Sequence, residues 1–450
     1  MDIIERKIIN NLTEWFKNEQ HPNIVILSGV AGCGKTTLVD TFLKSNLIRE
    51  NYSVFRFELD DIITRDKIAA DTRFFISHIR SRAPLNKPVL CFVDEVQKSE
   101  SVFDAIKMAW DDGINFIVSG SNPEYLETQA KKRLQRRSEL FDLKPLSLPE
   151  ILYHESLVSG DFSLHSNEQL FFSILSGDLP FVEVDDYLKG LSLSELDLIQ
   201  AKCSTFLTKG GLPGAYKSRS IDQAFAYIRA TVERGFLPIL NDTLDLFDVV
   251  TVELASSSAK EFVYENFFQR TRIRKRNKIN EIVNKLKGHG YIREKRPYIP
   301  DSKLSYFVIY SFIDPGMISY LNDTLKPSAE EEGHLIESYI HARLDNILRM
   351  QPRKTLLSYY KPYIIRAKDN KEELRFKPGE IDFVISFGAR GSQKAMPIEV
   401  KRSVDISPDQ TLLLKELIGS GIFKHGIVLY GGMPYLNKKE NLLYWPWWLI

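Results

Sequence analysis

Eight consecutive residues have the glycine spacing and the Lys-Thr ending of a loop that binds nucleotide phosphates: Gly29, Val30, Ala31, Gly32, Cys33, Gly34, Lys35 and Thr36, followed by Thr37. The glycines allow successive backbone N–H groups to point at phosphate oxygens, and a helix that follows adds its positive end. We expect Lys35 to reach the β- and γ-phosphates of ATP and the Thr36 hydroxyl to bind Mg²⁺. An apolar run before the motif and a helical pattern after it supply the context that it requires. The alternative is a glycine-rich turn before an ordinary core helix.

Two adjacent carboxylates, Asp94 and Glu95, follow a continuous apolar run at 89–93. Such a run is typical of a parallel strand that is buried on both faces, and its carboxyl end opens onto the ligand crevice. Buried carboxylates must be paired or bound to a cation. We therefore expect Asp94 to hold Mg²⁺, directly or through water, and Glu95 to polarise the attacking water. The alternative is an acidic pair that complements the dipole of a helix near 100–111.

Polar residues also follow the next apolar run, at 116–118, which predicts a strand beside the one that carries Asp94. Ser121 or Asn122 could touch the γ-phosphate or the attacking water there, or simply form a turn. The basic run at 131–137 comes next. Its lysines are expected on a solvated face, whereas one of its arginines could reach the γ-phosphate of a neighbouring subunit.

A third group of charged residues lies on two predicted strands, at 379–385 and 397–401. Alternation along a strand puts Glu399 and Lys401 on one face, and Asp382 on the neighbouring strand can pair with Glu399. Two carboxylates suit a hard divalent cation, Mg²⁺ or Mn²⁺, while Lys401 orients or deprotonates the water that attacks a phosphodiester. The alternative is a salt bridge between Glu399 and Lys401 in an inactive domain that is used for binding.

The segment 270–296 is strongly basic, with about eleven Lys or Arg against two Glu. Ile279, Ile282 and Leu286 keep a helical period, and glycines at 288 and 290 precede a predicted strand. This order suggests a winged helix whose basic helix lies on a DNA groove. The expected contacts are Arg272, Arg274, Lys275, Arg276 and Lys278. The alternatives are a solvated basic face and an intramolecular contact with acidic residues of the preceding helical region.

Composition limits the class of protein. The chain has 450 residues, a hydrophobic content of 43% and a net charge of +1, so we expect a soluble protein of roughly two to four domains. Any affinity for nucleic acid must come from local clusters of charge. Three cysteines without metal-ligand spacing, no signal-like start and no run of eighteen apolar residues predict a cytoplasmic location and no membrane insertion. The apolar stretch 444–450 is expected to be a last strand docked on a core, or else a tail that binds a partner.

Several of these segments resemble a group of prokaryotic AAA+ ATPases. The resemblance is carried by residues 29–37, 92–95, 118–121 and 134–150, by a Gly-Gly-x-Pro turn at 210–213, and by Asp382, Glu399 and Lys401. In that group the ATPase core is followed by a helical lid, a winged-helix-like segment and a C-terminal domain of the PD-(D/E)XK restriction-endonuclease-like type.

The resemblance also implies two residue roles. Glu337 matches the helix glutamate that completes the nuclease site, and Arg137 matches an arginine that would act across a homo-oligomer. The chain departs from the group's pattern at Arg136, where a glycine is usual, and at Ala31-Gly32, which replace an arginine and a glutamine. The phosphate-binding residues themselves are intact.

These observations predict an α/β protein in four parts: an AAA+ parallel-sheet core (1–147), a helical lid (148–245), a winged-helix-like basic segment (246–328) and a restriction-endonuclease-like domain (329–450). The expected function is ATP binding and hydrolysis that controls a metal-dependent nuclease acting on DNA. The alternative is a nucleotide-gated regulatory ATPase that binds DNA or protein and whose nuclease-like domain is inactive.

Overall fold

The computed structural model describes residues 4, 6–17, 24–83, 86–158, 192–236, 244–271, 276–298, 308–349, 355–368, 371–376, 378–387 and 394–450. The helices are α1 (Ile8–Lys17), α2 (Lys35–Leu43), α3 (Asn46–Asn51), α4 (Ile62–Ala70), α5 (Phe74–Arg80), α6 (Val102–Asp111), α7 (Pro123–Gln129), α8 (Leu148–His154), α9 (Leu193–Lys209), α10 (Pro213–Tyr216), α11 (Ile221–Phe236), α12 (Leu244–Ser256), α13 (Tyr264–Thr271), α14 (Arg276–Gly288), α15 (Pro315–Leu321), α16 (Ala329–Arg349) and α17 (Leu412–Gly419). The strands are β1 (Ile24–Ser28), β2 (Ser53–Glu58), β3 (Val89–Asp94), β4 (Asn115–Gly120), β5 (Ser138–Asp142), β6 (Glu261–Phe262), β7 (Ile292–Pro297), β8 (Val308–Phe312), β9 (Thr355–Tyr360), β10 (Tyr363–Lys368), β11 (Lys371–Phe376), β12 (Ile381–Phe387), β13 (Lys394–Val400), β14 (Gly426–Tyr430), β15 (Tyr435–Asn437) and β16 (Leu442–Pro446).

The first sheet has five parallel strands in the order β2-β3-β4-β1-β5. Its central strands are buried on both faces because their residues alternate between two cores. Val25 and Leu27 of β1 belong to the core that includes α1 and α2, whereas Ile24 and Ile26 belong to the core of α4 to α7. The carboxyl ends of β1, β3 and β4 therefore meet at one edge of the sheet. The structure confirms the predicted α/β class.

The second large sheet has nine strands in the order β15-β16-β14-β13-β12-β9-β7-β8-β6, with both parallel and antiparallel pairs. The parallel pair β7 and β9 connects the basic segment to the carboxyl-terminal part of the chain, with Arg296 opposite Ser358. The sheet thus runs across the predicted boundary between 246–328 and 329–450. Helix α16 packs on this sheet through buried residues that include Ile336, Ile340 and Leu344. The four predicted domain boundaries stay a prediction.

A helical region separates the two sheets along the chain. The turn between α9 and α10, where the Gly-Gly-x-Pro residues lie, is held by the buried Asp314. Its carboxylate accepts a hydrogen bond from Gly211 N at 2.6 Å and one from Met317 N at 3.2 Å, at the start of α15. The helical region is therefore joined to the start of α15.

Most predicted elements are found close to their expected positions. The clearest omission is β5, because its residues (Ser-Glu-Leu-Phe-Asp) alternate weakly and follow a charged run. The apolar stretch at 444–450 is buried, which confirms docking on a core, but its strand ends at Pro446 and a short 3-10 turn follows (Trp447–Leu449). Among the described residues, no helix is long and apolar enough to cross a bilayer. The cytoplasmic location stays a prediction.

Candidate active sites

The phosphate loop joins β1 to α2 at the carboxyl edge of the first sheet. Gly34, at the start of α2, has a φ of +95°, a left-handed conformation that strongly favours glycine. At Gly29 a Cβ atom would lie 2.3 Å from the Leu143 carbonyl oxygen, so no larger residue fits. The buried Lys35 donates its Nζ hydrogens to the carbonyls of Gly29 (2.9 Å) and Val30 (3.2 Å). Its ammonium group therefore lies directly over the loop.

Thr36 and Asp94 lie together, as predicted for a Mg²⁺ site. The Thr36 hydroxyl donates to Asp94 Oδ2 at 2.8 Å, although the two residues are 58 positions apart. Neighbouring oxygen ligands of an octahedral Mg²⁺ are roughly 2.9 Å apart, since each lies about 2.0 to 2.1 Å from the ion. The spacing of the two oxygens therefore fits this ion. The Ser119 hydroxyl at the end of β4 also donates to Asp94, a contact that the sequence alone did not predict.

Glu95 is held in an unusual backbone conformation beside this pair. Its φ is +55°, which costs free energy in a residue other than glycine, and strained residues of this kind cluster at functional sites. Ser121 donates to Glu95 Oε2 at 3.4 Å, and the Gln97 amide donates both to Glu95 and to Ser121 Oγ. Of the two candidates after β4, Ser121 lies against Glu95. Gln97 was missed, because its role depends on a contact between β3 and β4 that spacing does not reveal.

Asn122 has a different environment. Its carboxamide oxygen caps α7 by accepting a hydrogen bond from Tyr125 N at 3.1 Å, and its Nδ2 lies 3.0 Å from His289 Nε2. His289 belongs to the turn between α14 and β7. Asn122 therefore connects the edge of the phosphate-binding sheet to the basic segment.

Arg137 lies at the amino ends of the strands of the first sheet, whereas the phosphate loop of its own chain lies at their carboxyl ends. It immediately precedes β5, which is parallel to β1, so it is at the amino end of the strands. Its guanidinium group is 3.3 Å from Asp111 and stacks on Trp110, with 4.9 Å to the ring centroid. Arg137 could therefore serve a phosphate loop only in another copy of the chain.

Residues from two distant segments contact the backbone of the phosphate loop. Arg6 donates to the Cys33 carbonyl at 3.2 Å and to Glu150 at 3.1 Å. Tyr227 of α11 lies 3.5 Å from the Gly32 carbonyl. Arg6 and Tyr227 were missed, because neither belongs to a recognisable motif. The described helical region thus contacts the loop through Tyr227, and its role as a lid stays a prediction.

The carboxylates predicted for a nuclease lie on adjacent antiparallel strands. Phe383 of β12 is opposite Ile398 of β13, so the next pair along is Asp382 and Glu399. Paired residues of this kind have neighbouring side chains on one face of the sheet. Asp382 Oδ2 accepts a hydrogen bond from Val400 N at 2.6 Å, and Lys401 forms an ion pair with Glu399.

Burial and mutual repulsion disfavour the charged form of these carboxylates. Burial, and then the charge of Asp382, raises the pKa of Glu399 to about 8 and raises that of Glu337 well above its usual value. Burial also raises the pKa of Asp382. Glu399 Oε2 is buried and has no hydrogen-bond partner within the described part of the chain. An unpartnered carboxylate oxygen in such a cluster fits a divalent cation.

Two observations limit the metal assignment. In the described residues, no three His, Cys, Asp or Glu side chains are arranged to hold a metal ion, so Glu337 does not complete a closed site with Asp382 and Glu399. His334 lies one helical turn before Glu337, and its Nδ1 atom is buried without a partner among the described residues. His334 and Lys295, described below, were both missed by sequence reasoning because neither belongs to the D…E-x-K pattern.

The basic segment is described in part. Arg272, Arg274 and Lys275 lie outside the described residues. Arg276 and Lys278 are exposed at the start of α14, whose opposite face packs into the core. Other basic residues of the segment are paired within the chain, for example Lys287 with Glu294. The predicted winged helix and its contacts with DNA stay a prediction.

Comparisons with known proteins identify the first part of the chain. No curated protein matches the sequence. The crystal structure of Saccharomyces cerevisiae RIF2 is similar at 14% sequence identity over 51% of this chain and 88% of that chain, with a TM-score of 0.26, which is too low to indicate a shared fold. Residues 21–152 match a family model described as an AAA domain. This part of the chain, which holds the phosphate loop, Asp94 and Glu95, is an AAA domain of the P-loop ATPase type.

Proposed function

We propose that the chain hydrolyses ATP at the AAA domain and that its nucleotide state controls a divalent-metal-dependent nuclease that cuts DNA. The contact between Thr36 and Asp94 carries the first half of this proposal, because it brings the two oxygens that Mg²⁺ requires to the end of the phosphate loop. The family match of residues 21–152 supports ATP and Mg²⁺ as ligands. The roles in DNA cleavage rest on the cluster around Asp382.

Each residue of the first site has a role in hydrolysis. Lys35 exchanges the loop carbonyls for phosphate oxygens, and the loop N–H groups hold the phosphates in place. Thr36 and Asp94 would hold Mg²⁺, which would supply positive charge against that of the phosphates. Ser121 and Gln97 fix Glu95, so that its carboxylate orients the attacking water.

Each residue of the second site also has its own role. Asp382 and Glu399 would hold the metal ion, whose chemistry would be to lower the pKa of the attacking water and to offset the charge of the phosphodiester. Lys401 forms an ion pair with Glu399, so it is an ammonium group there and would orient the attacking water. The observation that carries this role is the buried, unpartnered Glu399 Oε2 beside Asp382.

Cleavage of supercoiled plasmid and of linear single-stranded DNA tests the proposal. Wild type and Asp382→Ala are compared with Mn²⁺ or Mg²⁺, with and without ATP. Asp405→Ala is the matched control, because Asp405 is an exposed carboxylate in the loop after Lys401. We expect cleavage that Asp382→Ala abolishes and that Asp405→Ala retains. If no DNA form is cut with either metal, the nuclease role is wrong.

A regulatory ATPase without nuclease activity is the second candidate. It is favoured by the ion pair between Lys401 and Glu399, by the hydrogen bond that Asp382 accepts from Val400, and by the lack of a three-residue metal set among the described residues. In that case the basic segment binds DNA or protein as a function of bound nucleotide. The same experiment separates the candidates, since only the nuclease produces cleavage that depends on Asp382.

A further inference from the structure

A lysine from outside the nuclease-like motif is buried beside its carboxylates. Lys295 of β7 is 2% exposed. Its Nζ donates to the backbone carbonyl of Asp382 at 2.7 Å and lies 4.1 Å from the ring centroid of Phe383. Desolvating an ammonium group is costly, so a lysine in this position needs a compensating role.

The position of this hydrogen bond suggests that role. It fixes the backbone of β12 at the residue whose side chain faces Glu399, and Val400 N of β13 holds the carboxylate of the same residue. Asp382 is therefore held both at its backbone and at its side chain. Groups that orient a metal ligand from behind affect metal affinity about tenfold to a hundredfold when they are removed.

The turn that leads into the strand of Lys295 lies against the sheet that carries the phosphate loop. His289, six residues earlier, contacts Asn122, which caps the helix that follows Ser121. Tyr291 is 1% exposed and packs edge-on against Phe236 at the end of α11, with ring centroids 4.3 Å apart. Residues 289–291 form a turn, and the strand from Ile292 to Lys295 spans roughly 10 Å at about 3.3 Å per residue.

We propose that Lys295 is a positioning residue of the nuclease-like site and that β7 transmits the nucleotide state of the AAA domain to Asp382 through it. This inference rests on the proposed metal-dependent function of Asp382. Two contacts define the connection: His289 with Asn122 in the turn before β7, and Lys295 with Asp382 within β7. A displacement of the sheet edge at Asn122 moves a strand that is paired on both sides, by β8 and β9.

Direct binding of Mn²⁺, measured by calorimetry and by electron paramagnetic resonance, tests the role of Lys295 without relying on cleavage. Lys295→Met removes the donor and the charge, whereas Lys295→Gln keeps an N–H donor. Lys415→Gln is the control, since Lys415 pairs with Glu440 away from the cluster. Circular dichroism and ATP binding show whether each variant is folded.

We expect Lys295→Met to weaken Mn²⁺ binding about tenfold or more, and Lys295→Gln to restore part of that affinity. The sign of the change separates positioning from electrostatics, because loss of a nearby positive charge alone would strengthen the binding of a cation. Unchanged or tighter binding in Lys295→Met would overturn the positioning role. If Mn²⁺ binding by the wild type is not reduced by Asp382→Ala, the proposed metal site itself is wrong.

The transmission is tested by repeating the Mn²⁺ titration with a non-hydrolysable ATP analogue. We expect the analogue to change the Mn²⁺ affinity of the wild type several-fold, and His289→Ala to remove that change while each ligand alone still binds as before. A double substitution of His289 and Lys295 measures the coupling directly. If the analogue affects His289→Ala and wild type equally, β7 does not carry the signal.

Discussion

At the scale of single residues, the phosphate loop is the part that the sequence predicts best. Its residues are consecutive, so their types and spacing are enough to specify backbone geometry. Ser119, Gln97 and Lys295 could not be found in this way. Each acts through a contact between strands that are distant in sequence, and their side chains are common in turns and strands of any function.

The contacts of Glu95 predict a specific effect of Glu95→Gln. The amide keeps the size of the side chain and its contacts with Ser121 and Gln97, but it cannot accept a proton or orient water as a carboxylate does. We expect ATP to bind normally while turnover falls by roughly 10² to 10⁴, the usual contribution of such a group. Fluorescent-nucleotide binding and phosphate release check this, with Lys35→Ala as the control that loses binding itself. Normal turnover would remove Glu95 from the mechanism.

At the scale of elements, continuous apolar runs predicted the central strands of the first sheet, but they could not give the order of the strands. That Asp382 and Glu399 are directly opposite follows from the register of β12 and β13, which is one of several that the apolar pattern allows. The sequence likewise predicted α14 from its apolar period. It did not reveal that several basic residues of the segment are already paired with Glu281 and Glu294.

The packing of α16 on its sheet predicts acid sensitivity through His341. This side chain is 1% exposed, and its Nδ1 lies 2.9 Å from Ser311 Oγ. Burial lowers the pKa of His341 to about 3; the positive charges of Lys295 and Arg293 act in the same direction, while Asp345 opposes them. Because the pKa is lower in the folded state, the unfolded chain binds more protons below about pH 6.5, and stability is lost as the pH falls towards 3.

The expected size of this effect is roughly 2 kcal/mol of unfolding free energy between pH 7.5 and pH 5. Chemical denaturation of wild type and His341→Gln at the two pH values measures it. The variant should be less sensitive to acid by about that amount, whatever its stability at pH 7.5. Equal losses in both proteins would mean that His341 is protonated in the folded state or does not dominate the acid response.

The exposed start of α14 predicts how DNA binding should respond to charge. Reversing Arg276 and Lys278 to Glu should weaken binding and lower the slope of log affinity against log salt by roughly one unit per lost phosphate contact. Lys438 and Lys439, an exposed pair far along the chain, give the matched reversal. Fluorescence anisotropy at several salt concentrations measures the slopes. A slope equal to that of the control would indicate a solvated basic face.

At the scale of the whole molecule, the position of Arg137 predicts that its action requires more than one copy of the chain. Arg137→Ala should lower ATP turnover by as much as 10³ to 10⁵, the range for an arginine that stabilises the transferring phosphate. Mixing this variant with Lys35→Ala should restore part of the turnover, because a mixed assembly combines an intact loop with an intact arginine. Arg80→Ala, which removes an exposed arginine paired with Asp112, is the control. Two inactive variants that stay inactive when mixed would contradict action between subunits.

The order of the parts along the chain could be proposed from sequence, since each part has its own composition and motif, and it stays a prediction. How the parts are joined could not be predicted, because the pairing of β7 with β9 links segments about sixty residues apart through only a few backbone groups. The contacts of Arg6 and Tyr227 with the phosphate loop could not be predicted either. Each depends on the final arrangement of several elements at once.

The nine-stranded sheet also has a practical consequence for dividing the protein. A fragment that begins at residue 329 would lack β7. The N–H and C=O groups of β9 that pair with β7 would then be unpaired at an exposed edge of the sheet. Unpaired edge strands form hydrogen bonds with strands of other molecules, which leads to aggregation. We expect such a fragment to precipitate, and one that begins before β6, near residue 257, to remain dispersed. Light scattering of the two fragments at equal concentration distinguishes them.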